Sequence, residues 1–258
     1  MTSDVHAADG ADTGIVPERT SEWSVAAEIL RRDGAAIVEG CPTEPASLVH
    51  AAARLLGTDL RRVEPVRRAE GDGDGVLGPH TDGATVTYRT RSGAMSWRVP
   101  DDDVLLQLCA VPAPEGGHSV LLDGYALVDE VQVTRPALGA FLTDVDLDYL
   151  GGYDGRQRGA NEHPFVGRTV EHTRAGRRIV TVSDLATPLP RHPDRDTQAA
   201  QLDEWLDVVG AAFAAAPRFL LGEGDLLCVD NYRVVHGRDA YRGQRLLHVM
   251  TARSAHAA

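Results

Sequence analysis

An almost uninterrupted apolar run, Val104–Val111 (VLLQLCAV), constrains the fold more than any other segment of this chain. A run without polar alternation is typical of a strand that is buried on both faces. Gly116 and Gly117 mark a turn after it, and a further strand is predicted over 118–122. The run therefore predicts a sheet that is covered by other structure on both sides.

The rest of the chain alternates helical and strand-like segments. Helical spacing of apolar residues predicts the longer helices over 21–33, 44–56 and 197–216. Turn residues and short apolar runs predict strands over 35–38, 81–88, 169–172, 178–182, 226–229 and 245–251. The Gly/Asp-rich stretch 70–78 is predicted to be a loop. The pattern favours a mainly β fold with helical additions (α+β), built as a double-sheet barrel.

Length and composition limit the organisation of the chain and the classes of function. Residues 1–20 lack periodicity and are predicted to be a flexible tail, followed by one domain over 21–258. The formal net charge of −12 disfavours a nucleic-acid partner. The 258 residues include no lysine, which excludes Schiff-base and P-loop chemistry.

The three cysteines and the distribution of apolar residues indicate where in the cell the protein is expected. Cys41, Cys109 and Cys228 are an odd, widely spaced set, which is a poor disulfide framework. Cys109 and Cys228 lie inside apolar runs and are expected to be buried thiols. No apolar segment marks a signal peptide or a membrane span. We therefore expect a cytoplasmic protein without a membrane partner, and its oligomeric state stays open.

The segment His80-Thr81-Asp82 is the central chemical feature of the sequence. Residues two apart in a strand face the same side, so the imidazole and the carboxylate are expected to project together. His236 lies 156 positions later, after another apolar strand. Two histidines and one carboxylate form the facial triad of non-haem iron oxygenases, which leaves coordination positions open. Arg245 begins a late apolar run, where its guanidinium could hold a carboxylate through paired hydrogen bonds.

Four ordered segments resemble the taurine dioxygenase (TauD/TfdA-like) family, which includes clavaminate-synthase-like enzymes. They are GPHTDG at 78–83, LLQLCAVPAPEGGHSVLLDG at 105–124, GEGDLLCVDNYRVVHGR at 222–238 and AYRGQR at 240–245. The resemblance implies a double-stranded β-helix, or jelly-roll, core. It implies that His80, Asp82 and His236 are the catalytic iron ligands, and that Arg245 and Ser119 bind 2-oxoglutarate. The expected cofactors are Fe(II), 2-oxoglutarate and O2, and the expected products include succinate and CO2.

The substrate is less constrained by the sequence than the metal site. Family habit favours hydroxylation of a small polar molecule, such as an amino acid or a related carboxylate, with natural-product biosynthesis as a setting. Arg98 and Arg238 are candidates for binding such a substrate, although pairing of Arg238 with Asp230 or Asp239 would explain it equally well. A zinc hydrolase with the same His/Asp/His set and a non-catalytic jelly-roll binding protein remain alternatives.

Overall fold

The computed structural model describes residues 13–82, 102–149, 151–152, 166–190 and 192–257, and the backbone alone of 84–90 and 93–99. The α-helices in these residues are α1 (Trp23–Asp33), α2 (Ala46–Leu56), α3 (Gly124–Thr134), α4 (Pro136–Asp144) and α5 (Arg195–Ala215). The strands are β1 (Glu18–Thr20), β2 (Ala35–Val38), β3 (Leu60–Val63), β4 (Arg67–Asp74), β5 (Leu77–His80), β6 (Ala84–Thr90), β7 (Gly93–Val99), β8 (Val104–Val111), β9 (Glu115–Gly116), β10 (Ser119–Asp123), β11 (Leu147–Asp148), β12 (Val166–Gly167), β13 (Val170–His172), β14 (Arg178–Val180), β15 (Thr187–Pro188), β16 (Leu226–Asp230), β17 (Val234–Arg238) and β18 (Tyr241–Ser254).

Two sheets form the centre of the fold. The larger has the order β1-β2-β16-β8-β18-β3, and both β4 and β9 also pair with β18. The smaller has the order β10-β17-β5. The 14-residue strand β18 is long enough to pair with β9 and β8 in succession along one edge and with β4 and β3 along the other. Strand β18 therefore joins elements that lie far apart in the sequence.

The space between the two sheets is filled by alternate residues of their strands. Leu227 of β16 packs there with Leu121 of β10 and Val234 of β17. The neighbouring residues Leu226 and Cys228 belong instead to a cluster with α1 and α2 on the other face of the larger sheet. Strands β8 and β16 are thus buried on both faces, which explains why their sequences lack polar alternation.

Helices cover the outer face of each sheet. Helix α5 contacts β10 and β5 of the smaller sheet, and its Trp205, only 1% exposed, shares a core cluster with Val120 and Val235. Helices α1 and α2 contact β2, β8, β16 and β18 of the larger sheet. This order of layers agrees with the predicted double-sheet core with helical additions.

The predicted tail is wrong at its C-terminal boundary. Residues 13–20 are attached to the sheets, since the Ile15 amide donates to the Leu121 carbonyl at 3.0 Å and Thr13 is buried. Strand β1 pairs in parallel with β2, although Glu18 and Arg19 are exposed. An exposed edge strand carries no apolar pattern, so periodicity could not reveal it.

Two further local predictions are wrong. The stretch 70–78 was expected to be a loop, but residues 67–74 form β4, which pairs with β18 over most of its length. The strand expected over 81–88 begins later, because residues 81–82 follow the end of β5 at His80 and β6 covers Ala84–Thr90. The strands Ala35–Val38 and Val104–Val111 have the predicted bounds.

The cysteines agree with their predicted state. All three are free, and Cys109 and Cys228 are buried. Burial raises the pKa of the Cys109 thiol to about 11, so this thiol stays protonated near neutral pH. Within the described residues, no helix combines the length and the apolarity that crossing a bilayer requires.

Candidate active site

Strand pairing in the smaller sheet brings His80 and His236 together. Strand β17 lies between β10 and β5, and its antiparallel register places His236 opposite both Leu121 and His80. Paired residues on antiparallel strands project from the same face. His236 therefore shares the inward face with Leu121, and the two imidazole centroids are 4.4 Å apart.

Asp82 reaches the histidines from the segment that follows β5 and not by strand alternation. The chain leaves β5 at Thr81, whose amide donates to the Val182 carbonyl at 3.0 Å and whose hydroxyl accepts from the Val182 amide at 3.0 Å. The carboxylate of Asp82 then lies with Oδ2 4.0 Å from Nε2 of His236. The expected grouping of His80 and Asp82 is present, but the reason given from strand periodicity is wrong.

Asn231, in the turn between β16 and β17, holds the backbone of Asp82. Its Oδ1 accepts from the Asp82 amide at 3.2 Å, and its Nδ2 donates to the Asp82 carbonyl at 2.8 Å. The same Nδ2 donates to the Asp102 carbonyl at 3.0 Å. Because Asn231 is only 3% exposed, this amide is a fixed support for the segment that carries the carboxylate.

The three side chains fit the donor set of a divalent transition metal. One ligand atom from each of His80, Asp82 and His236 lies within 4.8 Å of the other two. Nδ1 of His80 donates to the Gly78 carbonyl at 2.9 Å, so the lone pair of Nε2 is free to bind a metal. Burial and the charge of His80 lower the pKa of His236 to about 4, although the charge of Asp82 acts to raise it. A neutral imidazole is the form that ligates metal.

A cavity of about 400 Å³ adjoins these three residues and is also lined by Ser119 and Arg245. Within the described part of the chain Arg245 has no carboxylate partner, and its guanidinium lies 5.5 Å from the Tyr241 ring. Burial lowers the pKa of Arg245, and the charge of Arg238 adds to this effect. A partly buried, unpaired guanidinium is a site for a ligand carboxylate.

Tyr241 separates the two arginines at this end of the cavity. Its ring lies 4.6 Å from the guanidinium carbon of Arg238 and 5.5 Å from that of Arg245. The ring passes over Gly71 of β4, where an added Cβ would lie 2.6 Å from the tyrosine hydroxyl. The Gly/Asp-rich segment is thus needed for the close packing of β4 against β18.

Of the two arginines predicted to bind substrate, the structure describes the side chain of only one. Arg238 lines the cavity, but its NH2 is 2.9 Å from Oδ2 of Asp74 and its NH1 donates to the Asp239 carbonyl. The ion-pair partner is therefore Asp74 of β4, not Asp230 or Asp239. Arg98 belongs to β7, and its side chain lies outside what the structure describes.

Two residues that border the metal ligands were not predicted from the sequence. Arg67 of β4 lines the cavity, with NH2 3.7 Å from Oδ2 of Asp82. It was missed because β4 was predicted partly as a loop. Asn231 belongs to the DN pair in one of the family-like segments, which is the signal that could have indicated its role.

Comparison with known proteins assigns the family. The sequence profile of the family described as "Taurine catabolism dioxygenase TauD, TfdA family" matches residues 3–251. The chain belongs to this dioxygenase family, which confirms the family and enzyme class expected from the sequence. No curated protein sequence matches the chain significantly.

Solved structures support the fold. A taurine dioxygenase from Burkholderia xenovorans superposes with a TM-score of 0.61 at 17% identity, covering 94% of this chain and 84% of that one. PvcB from Pseudomonas aeruginosa gives 0.58 at 14% identity, covering 91% and 82%. An asparagine oxygenase, solved with Fe(II), hydroxyasparagine and succinate, gives 0.55 at 15% identity, covering 89% and 78%. The predicted jelly-roll class is confirmed at the level of fold.

Proposed function

We propose that this protein is an Fe(II)- and 2-oxoglutarate-dependent oxygenase whose metal ligands are His80, Asp82 and His236. The observation that carries the proposal is that these three donors meet at one cavity. The same cavity contains Arg245, a cation without a carboxylate partner in the described residues. This combination matches the facial two-histidine, one-carboxylate set beside a co-substrate pocket.

The residues around the metal would orient its ligands. The Gly78 carbonyl holds the His80 ring in the tautomer with a free Nε2. Asn231 holds the Asp82 backbone from both sides, so the carboxylate does not have to be ordered when the metal binds. When bound, iron and 2-oxoglutarate supply the oxidative decarboxylation that activates O2 towards a substrate C–H bond.

Arg245 and Ser119 would hold the distal carboxylate of 2-oxoglutarate. Arg245 offers a planar fork of N–H donors for paired hydrogen bonds with a carboxylate. The Ser119 hydroxyl forms no hydrogen bond with the rest of the described chain, and Ser119 is buried beside Arg238 in the β10–β17 register. Apolar residues such as Leu247 and Val249 line the floor and would limit water near the reacting atoms.

The structural relatives support a small polar substrate. One similar structure is an asparagine oxygenase bound to its hydroxylated amino acid. Another is described as an Fe, alpha-ketoglutarate dependent oxygenase from an isonitrile synthetic pathway. We extend the proposal to hydroxylation of an amino acid or related molecule, with natural-product biosynthesis as a setting. The three free cysteines support the expected cytoplasmic location.

Anaerobic titration with Fe(II) and 2-oxoglutarate tests the metal and co-substrate assignment. The wild-type protein should develop the visible metal-to-ligand charge-transfer band, and His80→Ala should abolish it. His172→Ala is the matched control, because His172 lies exposed on β13 away from the cavity. Absence of the band in the wild-type protein would refute the proposal.

The same experiment separates the alternatives. A zinc hydrolase would bind Zn(II) at the three residues, but it would release no succinate from 2-oxoglutarate in the presence of iron and O2. A non-catalytic binding protein would give neither the charge-transfer band nor succinate. Succinate release that depends on iron, 2-oxoglutarate and O2 is the outcome that we expect.

A further inference from the structure

Four arginines line the described part of the cavity, and two of them have a carboxylate partner at hydrogen-bonding distance. They are Arg67, Arg68, Arg238 and Arg245. NH2 of Arg68 lies 2.6 Å from Oε2 of Glu70, and NH2 of Arg238 lies 2.9 Å from Oδ2 of Asp74. The proposed function assigns Arg245 to the co-substrate. Arg67 is the arginine that remains to be explained.

The strand register points Arg67 towards the cavity. Arg67 is paired with Val249, and Ala69 with Leu247, in the β4–β18 ladder. Val249 and Leu247 belong to the cluster between the two sheets, and cross-strand partners share a face. Arg67 therefore starts from the inner face of β4, four residues along β18 from the position opposite Arg245. Its side chain is 58% exposed, which places the guanidinium at the cavity mouth.

The only carboxylate near Arg67 in the described residues is Asp82, with Oδ2 3.7 Å from NH2. This distance is long for a charge-assisted hydrogen bond. Asp82 is also the proposed metal ligand, so its charge would be shared with a divalent ion. The contact leaves most of the hydrogen-bonding capacity of the Arg67 guanidinium unused.

The charges of the lining favour one further anion. The described lining includes four arginines and three acidic residues, Glu70, Asp74 and Asp82, so it carries one net positive charge. A divalent ion together with a dianionic co-substrate would leave this balance unchanged. The positive charge without a compensating partner is then the one at Arg67, beside the metal ligands.

We infer that Arg67 binds the anionic group of the substrate. The inference rests on the proposed function, which already favours an amino acid or a related carboxylate, and it names the residue of the same cavity that would recognise the carboxylate. Because Arg67 lies next to Asp82, the anion would be held beside the metal ligands. The oxidised carbon should therefore be close to the anionic group. Neighbouring Leu247 and Val249 would contact the apolar part of the substrate.

Residue-resolved labelling with phenylglyoxal, which modifies accessible guanidinium groups, tests this assignment without a known substrate. The protein is loaded anaerobically with Fe(II) and 2-oxoglutarate, and peptide mass spectrometry measures the modification of each arginine. We expect 2-oxoglutarate to slow modification at Arg245 but not at Arg67. Added acetate should then slow modification at Arg67, whereas the isosteric neutral probe acetamide should not. Arg242, 84% exposed on the same strand as Arg245, reports any general effect of salt.

Each outcome of the labelling experiment decides a separate point. Protection of Arg67 by 2-oxoglutarate alone would assign this arginine to the co-substrate and overturn the inference. Equal effects of acetate and acetamide would overturn it as well. Failure to protect Arg245, together with absence of the charge-transfer band, would instead refute the proposed function on which the inference depends.

A variant extends the test to turnover. Free amino acids and their methyl esters are compared by succinate release for the wild-type protein, Arg67→Gln and the exposed control Arg242→Gln. Loss of a charge-assisted contact should lower kcat/KM for the anionic compounds about tenfold to a hundredfold in Arg67→Gln, with little change in Arg242→Gln. The Kd of 2-oxoglutarate should stay unchanged. Unchanged turnover of anionic substrates by Arg67→Gln would contradict the inference, and the labelling result decides it if the panel contains no substrate.

Discussion

Replacement of Asn231 by alanine should weaken metal binding although Asn231 is not a ligand. The side chain makes three hydrogen bonds, two to the backbone of Asp82 and one to the carbonyl of Asp102. Without these hydrogen bonds, Thr81 would still anchor the segment that follows β5, but the backbone of Asp82 would no longer be held. The metal would then have to order Asp82 as it binds, and this ordering would reduce its affinity.

The expected loss of stability can be worked out from the backbone groups that lose their hydrogen-bond partner. The Asp102 carbonyl is bonded to Asn231 in a buried environment, and an unsatisfied buried group costs about 1–3 kcal/mol. The amide and carbonyl of Asp82 lie next to the cavity, where water can replace part of each hydrogen bond. The free energy of unfolding should fall by about 2–5 kcal/mol in total. Iron affinity should fall about tenfold to a hundredfold, as is typical for residues that orient a metal ligand.

Two measurements separate the effect on the metal from the effect on stability. Urea denaturation gives the free energy of unfolding, and anaerobic Fe(II) titration with saturating 2-oxoglutarate gives the iron affinity. Ser254→Ala is the control, because it removes a buried 2.6 Å hydrogen bond to Asp103 away from the three ligands. This control should lose stability and keep its iron affinity.

A second variant keeps the test informative if Asn231→Ala does not fold. Asn231→Asp has nearly the same shape and can still accept from the Asp82 amide, but it presents no donor to the Asp82 and Asp102 carbonyls. Its iron affinity should also fall. If a folded Asn231 variant binds Fe(II) within about twofold of the wild-type protein, the orienting role is refuted.

Three further predictions concern the co-substrate, the thiols and the core. Arg245→Gln should raise the Kd of 2-oxoglutarate at least about tenfold in the charge-transfer titration, and an equal effect of Arg242→Gln would contradict the assignment. Iodoacetamide at pH 8 should label the half-buried Cys41 before Cys109, whose pKa burial raises to about 11, and peptide mass spectrometry measures the order. Trp205→Ala should lower the free energy of unfolding by about 3–5 kcal/mol in urea, because the residue is 1% exposed; a loss below about 1 kcal/mol would show that its cluster does not stabilise the fold.

Elements buried on both faces could be predicted closely from the sequence. Ala35–Val38 and Val104–Val111 have the predicted bounds because burial on both faces selects an apolar residue at nearly every position. Helix α5 was predicted within two residues at each end from its apolar stripe. In these segments the local pattern and the tertiary environment impose the same requirement.

Exposed segments held by long-range pairing could not be predicted in this way. Strand β4 is exposed along most of its length, and its hydrogen bonds come from β18, which is far away in the sequence. Its glycines suggested a loop, whereas Gly71 in fact makes room for the Tyr241 ring. The same error concealed Arg67 and the partner of Arg238, because both depend on where β4 lies.

The sequence by itself determined the donor types and the family to which the chain belongs, but it did not predict β5 and β17, the two strands that carry the histidines. Only the tertiary structure decided how Asp82 joins His80 and His236, since its backbone is held by Asn231, 149 residues later. Tertiary structure also decided which arginines of the cavity have a close carboxylate partner and which do not. A hydrogen bond or an ion pair between distant segments leaves no periodic trace in the sequence, whereas burial of a strand or a helix face does.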